Sequence, residues 1–207
     1  MKIMSFNCRG LANPAKKSSL HRLIDLNCLS VILLQETLGV SEVVTKTLEL
    51  LLLGWKFVVV DANGSSGGLA SRWNLKACRC ENFWSIRSGL GLELFDTELG
   101  KEVTVLNIYG PYLNRAPFWD SLLSNDFVVD RDVILRGDLN LSLGCEEVWG
   151  PKATPNALSN YFIQSFAQKD LLDIEPTKLS PTWRNRRARE NRIAKRLDHF
   201  LVADILV

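Results

Sequence analysis

The sequence predicts an α/β fold of mixed sheets flanked by helices, and three observations carry the prediction. Apolar β-like runs alternate with helical periodicity from Ile3 to Ala62. Successive strand-like runs then follow one another from Gly68 to Tyr109. A further strand, DVILRG, and an amphipathic helix close the pattern, with no linker, repeat or low-complexity tract to mark a domain boundary, so residues 1–207 read as one domain.

Taken in order, Ile3 to Cys8 is a short strand, and Asn13 with Pro14 forms an N-cap and first helical residue. The helix that they open places Leu20, Leu23 and Ile24 on one face, and SVILLQ from Ser30 to Gln35 is the second strand. Ser41 caps a helix running towards Gly54, Trp55 to Ala62 is a strand, and NGSSGG is a loop. Strands are expected at Gly68 to Trp73, Lys76 to Phe83, Gly89 to Asp96 and Glu102 to Tyr109, the last two joined as a hairpin by TELGK. A helix over Phe118 to Leu123 leads to the strand Asp132 to Gly137. Thr154 and Pro155 open a helix with Leu158, Phe162 and Phe166 spaced four apart, and a hairpin-like pair flanks a basic segment near the end.

Composition narrows the function. With 207 residues, 46% hydrophobic and 23% charged, the chain suits neither a disordered tail nor a disulfide scaffold. The longest leucine run, Leu50 to Leu53, is too short to span a bilayer, and MKIMSFNCRG is broken by Asn7 and Arg9, unlike a secretory leader. An intracellular protein, nuclear or cytoplasmic, without membrane association is the expectation. The five cysteines (Cys8, Cys28, Cys78, Cys80, Cys145) offer no C-x-x-C pair and only two histidines accompany them, so reduced, mostly buried thiols are expected rather than zinc. Residues 184–196, RNRRARENRIAKR, set seven basic residues against Glu190 for a net +6, and the remaining 194 residues sum to −4. A mildly acidic body with one concentrated basic element suits a partner that is a polyanion.

Polar residues recur where apolar strands end: Asn7 after KIMSF, Glu36 after VILLQ, Tyr109 after VTVLNI, Asp138 and Asn140 after VILRG. Two carboxylates with amides at strand ends suit a hard, oxygen-seeking cation such as Mg²⁺.

On these residues the chain resembles the endonuclease/exonuclease/phosphatase superfamily, with its DNase I-like α/β sandwich, and in particular the endonuclease domain of plant long interspersed (non-LTR) retrotransposons. The resemblance runs the length of the chain through SFNCRG (5–10), LLQET (33–37), SGGLA (66–70), NIYGP (107–111), RGDLN (136–140), PTW (181–183) and RLDHFL (196–201). It implies a Mg²⁺-dependent phosphodiester hydrolase, with Mn²⁺ as a substitute ion, that nicks DNA as a monomer, with no protein partner evident. Glu36 would hold the metal with Asn7 beside it. Asp138 would orient or deprotonate the attacking water, Asn140 and Tyr109 would hydrogen-bond phosphate oxygens, and Thr182 would stand next to them. Arg184, Arg186, Arg187, Arg189 and Arg192 lie where members of the family place a DNA-contacting hairpin loop.

Asp198 matches the aspartate that orients a catalytic histidine in the family, and that histidine belongs to a later S-D-H segment. The sequence ends at Val207 before any such segment, so the expectation is a C-terminally truncated domain, its last strand missing and its activity weak or absent. His199 is expected to be structural, because neighbours on a strand face opposite ways and Asp198 must face the site. The alternatives are a non-catalytic nucleic-acid-binding remnant, and an abasic-site endonuclease or other phosphoesterase of the same superfamily.

Overall fold

A computed structural model describes residues 1–11, 14–51, 54–63, 66–129, 131–187 and 189–207. The chain divides into two compact units, Met1–Tyr109 and Gly110–Val207.

In the first unit the elements are β1 (Ile3–Asn7), α1 (Pro14–Asn27), β2 (Val31–Gln35), α2 (Ser41–Leu51), β3 (Trp55–Asn63), β4 (Ser66–Asn74), β5 (Cys78–Ile86), β6 (Gly89–Asp96) and β7 (Lys101–Tyr109). A four-stranded mixed sheet is ordered β1-β2-β4-β3: β1 runs parallel to β2, and the other pairings are antiparallel. Period-2 alternation sorts its side chains. Ile32 and Leu34 of β2 and Ala70 of β4 join Leu20 and Ile24 of α1 and Val44 and Leu48 of α2 in one buried cluster, with Met4 and Phe6 of β1 packed against it. The opposite face therefore carries Ser5, Asn7, Leu33, Gln35 and Ser71. Strands β5, β6 and β7 follow as an antiparallel meander.

The β3–β4 hairpin is tighter than expected. The six residues NGSSGG read as a loop, but Ala62 pairs with Gly67 and Asn63 with Ser66, so most of that stretch is strand. Gly67 and Gly68 both have positive φ, 82° and 83°, and a Cβ on Gly68 would collide with Thr37 Oγ1. That close approach requires glycine. Asn13, the expected cap of α1, falls outside the described residues.

The second unit contains α3 (Arg115–Leu123), β8 (Val133–Asp138), β9 (Val148–Trp149), α4 (Ser159–Ala167), β10 (Leu171–Asp173), β11 (Trp183–Arg184), β12 (Ala194–Lys195) and β13 (Asp198–Ala203). Strand β13 lies between β10 and β8, antiparallel to both, and β12 lies between β11 and β9. Trp119 of α3, fully buried, meets Phe162 and Phe166 of α4 edge-on, with ring centroids 6.2 and 5.3 Å away. Helix α4 starts at Ser159 rather than at Thr154–Pro155. Asn156 holds the intervening turn: its Oδ1 accepts from Leu158 N and Arg115 Nη1, and its Nδ2 donates to Ser142 O.

Among the described residues no helix is long and apolar enough to cross a membrane. The five cysteines are all free; Cys8 and Cys78 are buried, but Cys28 and Cys145 are exposed and Cys80 partly so, fewer buried than expected.

Candidate active site

Parallel, in-register pairing of β1 and β2 brings Asn7 opposite Gln35, so both strands end at one edge of the sheet. Glu36 then takes a left-handed conformation, φ 50°, which is uncommon for a residue with a side chain. Backbone bonds around it lock this turn: Cys8 N donates to Gln35 O (2.8 Å), Gly10 N to Glu36 O (2.7 Å) and Thr37 N to Gly68 O (3.2 Å). The carboxylate receives Asn7 Nδ2 at 2.8 Å and the Tyr109 hydroxyl at 3.0 Å, both on Oε1. With both donors on one oxygen, the carboxylate is oriented, and its second oxygen is one that could take a cation. Asn7, Glu36 and Tyr109 are therefore brought together within the first unit, half-buried and joined by charge-assisted hydrogen bonds.

Within the second unit, Asp138 ends β8 and is 5% exposed, and the chain turns sharply after it. Asn140 has φ 54° and donates its backbone N–H to Asp138 Oδ1 at 3.3 Å. Its side-chain Nδ2 donates to Gly110 O at 2.6 Å, while its buried Oδ1 has no hydrogen-bond partner. Such an orphaned buried acceptor is a place for a donor from outside the chain. Asp198 stands directly opposite Asp138 in the β13–β8 ladder, which puts both carboxylates on one face, and His199 is opposite Gly137. The Thr182 hydroxyl accepts from Leu197 N (3.0 Å) and Asp198 N (3.3 Å), fixing the start of β13. Asp138, Asn140, Thr182 and Asp198 thus form a second set.

Two features were not assigned from the sequence. Arg136, part of RGDLN, donates Nη1 to His199 O at 2.9 Å and lies 4.4 Å from the Phe200 ring centroid. Burial lowers its pKa, while the charges of Asp198, Asp173 and Asp138 act in the opposite sense. A basic residue two positions before a strand-end aspartate was the available signal. The second feature is a buried cluster of Glu147, Asp173 and His199, whose ligand atoms lie within 4.8 Å of one another. By donor type it could hold a metal, but Arg196 Nη1 already bonds Glu147 Oε1 (2.5 Å) and Asp173 Oδ2 (2.7 Å), and His199 bonds Asp173 Oδ2 (3.2 Å) and Leu141 O (3.1 Å). Its carboxylates are therefore already ion-paired and hydrogen-bonded within the chain. Glu147, Asp173 and His199 are far apart in the sequence, so spacing gave no sign of them.

The basic segment forms a hairpin, since Trp183 pairs with Lys195 and Arg184 with Ala194. Asn185 shapes its tip, accepting from Arg187 N and Ile193 N and donating to Asn191 O. Arg184, Arg186, Arg187 and Arg192 are exposed. Arg189 starts a short 3₁₀ turn, and its side chain is outside the described set. Arg196 is not part of this outward face, being 6% exposed and paired inward.

A model of the Endonuclease/Exonuclease/phosphatase family matches residues 4–206. No curated protein matches. Solved structures share the fold at low identity. The chain is similar to an AP endonuclease from Archaeoglobus fulgidus (16% identity, TM-score 0.75, covering 100% of this chain and 88% of that one). It is also similar to the endonuclease domain of TRAS1, a telomere-specific non-LTR retrotransposon (12%, 0.71, 98% and 85%). A third is the Neisseria 3′ phosphatase NExo, solved bound to a product DNA hairpin (16%, 0.69, 99% and 87%). These likenesses agree with the α/β fold of mixed sheets and flanking helices expected from the sequence.

Proposed function

The chain belongs to the endonuclease/exonuclease/phosphatase family, hydrolases of phosphodiester and phosphoester bonds, and on that premise we propose that it is a Mg²⁺-dependent, DNA-nicking endonuclease of the retrotransposon type. The observation that carries the reading is the convergence of Asn7 and Tyr109 on one oxygen of Glu36. A strand-end carboxylate presented in this way, with an amide beside it, offers hard oxygen donors that fit Mg²⁺, with Mn²⁺ able to substitute. Bound there, the ion would polarise the phosphate and stabilise its developing charge.

The other roles fall to the chain's own groups. Asp138 accepts a proton from the attacking water, whose oxygen forms the new bond to phosphorus as the bond to the leaving oxygen breaks. The partnerless Asn140 Oδ1 accepts the water's other hydrogen and turns a lone pair to the phosphate. The second hydrogen of Asn140 Nδ2 donates to a phosphate oxygen, while the Tyr109 hydroxyl keeps Glu36 turned to the ion. Asp198, fixed through Thr182, places a second carboxylate beside Asp138, and Arg136 offsets the charge of the pair.

The exposed arginines of the hairpin favour DNA over a small phosphomonoester, because a row of guanidinium groups neutralises successive backbone phosphates. In this reading residues 1–207 act as one domain and as a monomer, on DNA in the nucleus or cytoplasm. The test is a substrate panel in Mg²⁺: supercoiled plasmid, a duplex oligonucleotide with one abasic site, and p-nitrophenyl phosphate. Nicking of intact plasmid at least tenfold faster per site than hydrolysis of the small ester supports the proposal. Cleavage confined to the abasic duplex, or to the small ester, overturns the retrotransposon-type assignment.

A further inference from the structure

Four motifs that the sequence singles out are joined in one buried amide network that the reading above leaves without a role. Asn107, of NIYGP, is fully buried on β7. Its Oδ1 accepts from Gln35 Nε2 at 2.6 Å, and its Nδ2 donates to Leu34 O and Ala70 O, each at 3.1 Å, with Ser71 Oγ at 3.3 Å. Gln35, of LLQET, is also fully buried, and its amide meets the Ser5 hydroxyl of SFNCRG at 3.0 Å from Nε2 and 3.2 Å from Oε1. Ala70 closes SGGLA. The amide orientations are forced, since Leu34 O and Ala70 O can only accept.

The placement of this network is its main feature. Ser5 is two residues before Asn7 on the same face of β1, Gln35 is the residue before Glu36, and Asn107 is two before Tyr109 on the same face of β7. Around it the facing positions are apolar: Val31, Leu33, Val103 and Val105 are all buried. A hydrophobic contact is non-directional and tolerates sliding, whereas a buried amide pair is satisfied in one register only. Moving β7 by one residue would turn Asn107 away and leave Gln35 Nε2, Leu34 O and Ala70 O to find other partners.

We infer that the Gln35–Asn107 amide pair, with Ser5, positions the Glu36 carboxylate by fixing β7 against β1 and β2, so that Tyr109 and Asn7 reach the same Glu36 oxygen. These are positioning residues, since they touch neither metal nor substrate. The inference rests on the reading of Glu36 as the metal-holding residue.

The test uses Gln35→Met, which keeps volume and leaves the two backbone bonds of Asn107 in place, and the milder Ser5→Ala. Mn²⁺ binding is followed by electron paramagnetic resonance of the full chain without substrate, beside kcat and KM for plasmid nicking, with circular dichroism reporting the folded fraction. Glu36→Ala is the control. Gln35→Met should weaken Mn²⁺ affinity per folded molecule by about tenfold, the lower end for groups supporting a metal ligand, and lower kcat with KM unchanged. Ser5→Ala should move both in the same direction by about threefold on the same reasoning, and remains readable if Gln35→Met does not fold. If both variants lower only the melting temperature and keep wild-type Mn²⁺ affinity while Glu36→Ala loses it, the pair is merely structural and the inference is overturned. If Glu36→Ala itself keeps Mn²⁺ affinity, the metal reading fails and the inference falls with it.

Discussion

Tyr109 donates its hydroxyl to Glu36 Oε1 across 3.0 Å, although the two residues are 73 positions apart in the chain. Each is the polar residue at or just beyond the end of an apolar strand, and the meeting of the two strand ends turns separate motifs into a site. Replacing Tyr109 by Phe keeps the ring and removes only the donor. A hydrogen bond to a charged group is worth roughly 1.5–3 kcal/mol, so kcat for phosphodiester hydrolysis should fall about tenfold or more. The melting temperature should fall by only a few degrees, and a wild-type circular dichroism spectrum would show that the variant is folded. Unchanged kcat in Tyr109→Phe would remove Tyr109 from the machinery.

The arginine hairpin leads to an ionic-strength prediction. Arg184, Arg186, Arg187 and Arg192 are exposed on a tip that Asn185 organises. In duplex binding, the slope of log affinity against log salt should be lowered by about 0.9 for each phosphate contact removed. Arg186→Ala with Arg187→Ala should therefore flatten the slope by about 2. A slope equal to wild type would place the contact surface elsewhere.

Much of the fold was legible, for a physical reason. The buried sheet face requires apolar residues at period 2, and the helices covering it require them at 3.6, so Ile32, Leu34, Leu20 and Ile24 announce their elements. The strand-end polar residues were legible only as a set, because Asp, Asn and Glu recur after several apolar strands while each alone is an ordinary turn former or cap. What pattern could not show were bonds between distant positions. Asn107 reads as an ordinary interruption in VTVLNIY, and Gln35 as the end of a run, until the 2.6 Å bond between them is seen. The start of α4 was misplaced because Thr-Pro is a good helix opening, and nothing local reveals that Asn156 is tied to Ser142 and Arg115.

The buried cluster of the second unit makes a pH prediction. Burial alone would push the Asp173 carboxyl up, but hydrogen bonds from His199 and Arg196, together with their charges, outweigh it and hold the group below its usual range. A carboxyl depressed in the folded state contributes stability that is fully present above its unfolded pKa of about 3.9. That contribution is lost as pH falls through the lower folded value. Asp173→Asn should destabilise the protein at pH 7 by about 1–3 kcal/mol and flatten the loss of stability below about pH 4. Urea midpoints from pH 7 to pH 2.5 measure both; an acid limb as steep as wild type would contradict the assignment.

Thiol reactivity separates the cysteines. Burial pushes the Cys8 thiol up to about 12, with Lys16 opposing and Glu36 adding to the shift, and Cys78 rises to about 11 for the same main reason. Cys28 and Cys145 are exposed. At pH 8 alkylation should label Cys28 and Cys145 first, and Cys8 and Cys78 only on unfolding. Rapid native-state labelling of Cys8, read by peptide mass spectrometry, would contradict the packing of β1 against α1.

The central claim, that this chain hydrolyses DNA through Glu36 and Asp138, is tested most directly by nicking of supercoiled plasmid in Mg²⁺. Wild type is compared with Glu36→Gln and Asp138→Asn, each purified to the same folded fraction, and with EDTA added. The account predicts metal-dependent conversion to open circles by wild type and a loss of about 100-fold or more in each variant, as expected for groups that act directly in the reaction. Nicking that persists at the wild-type rate in both variants, or in EDTA, would contradict it.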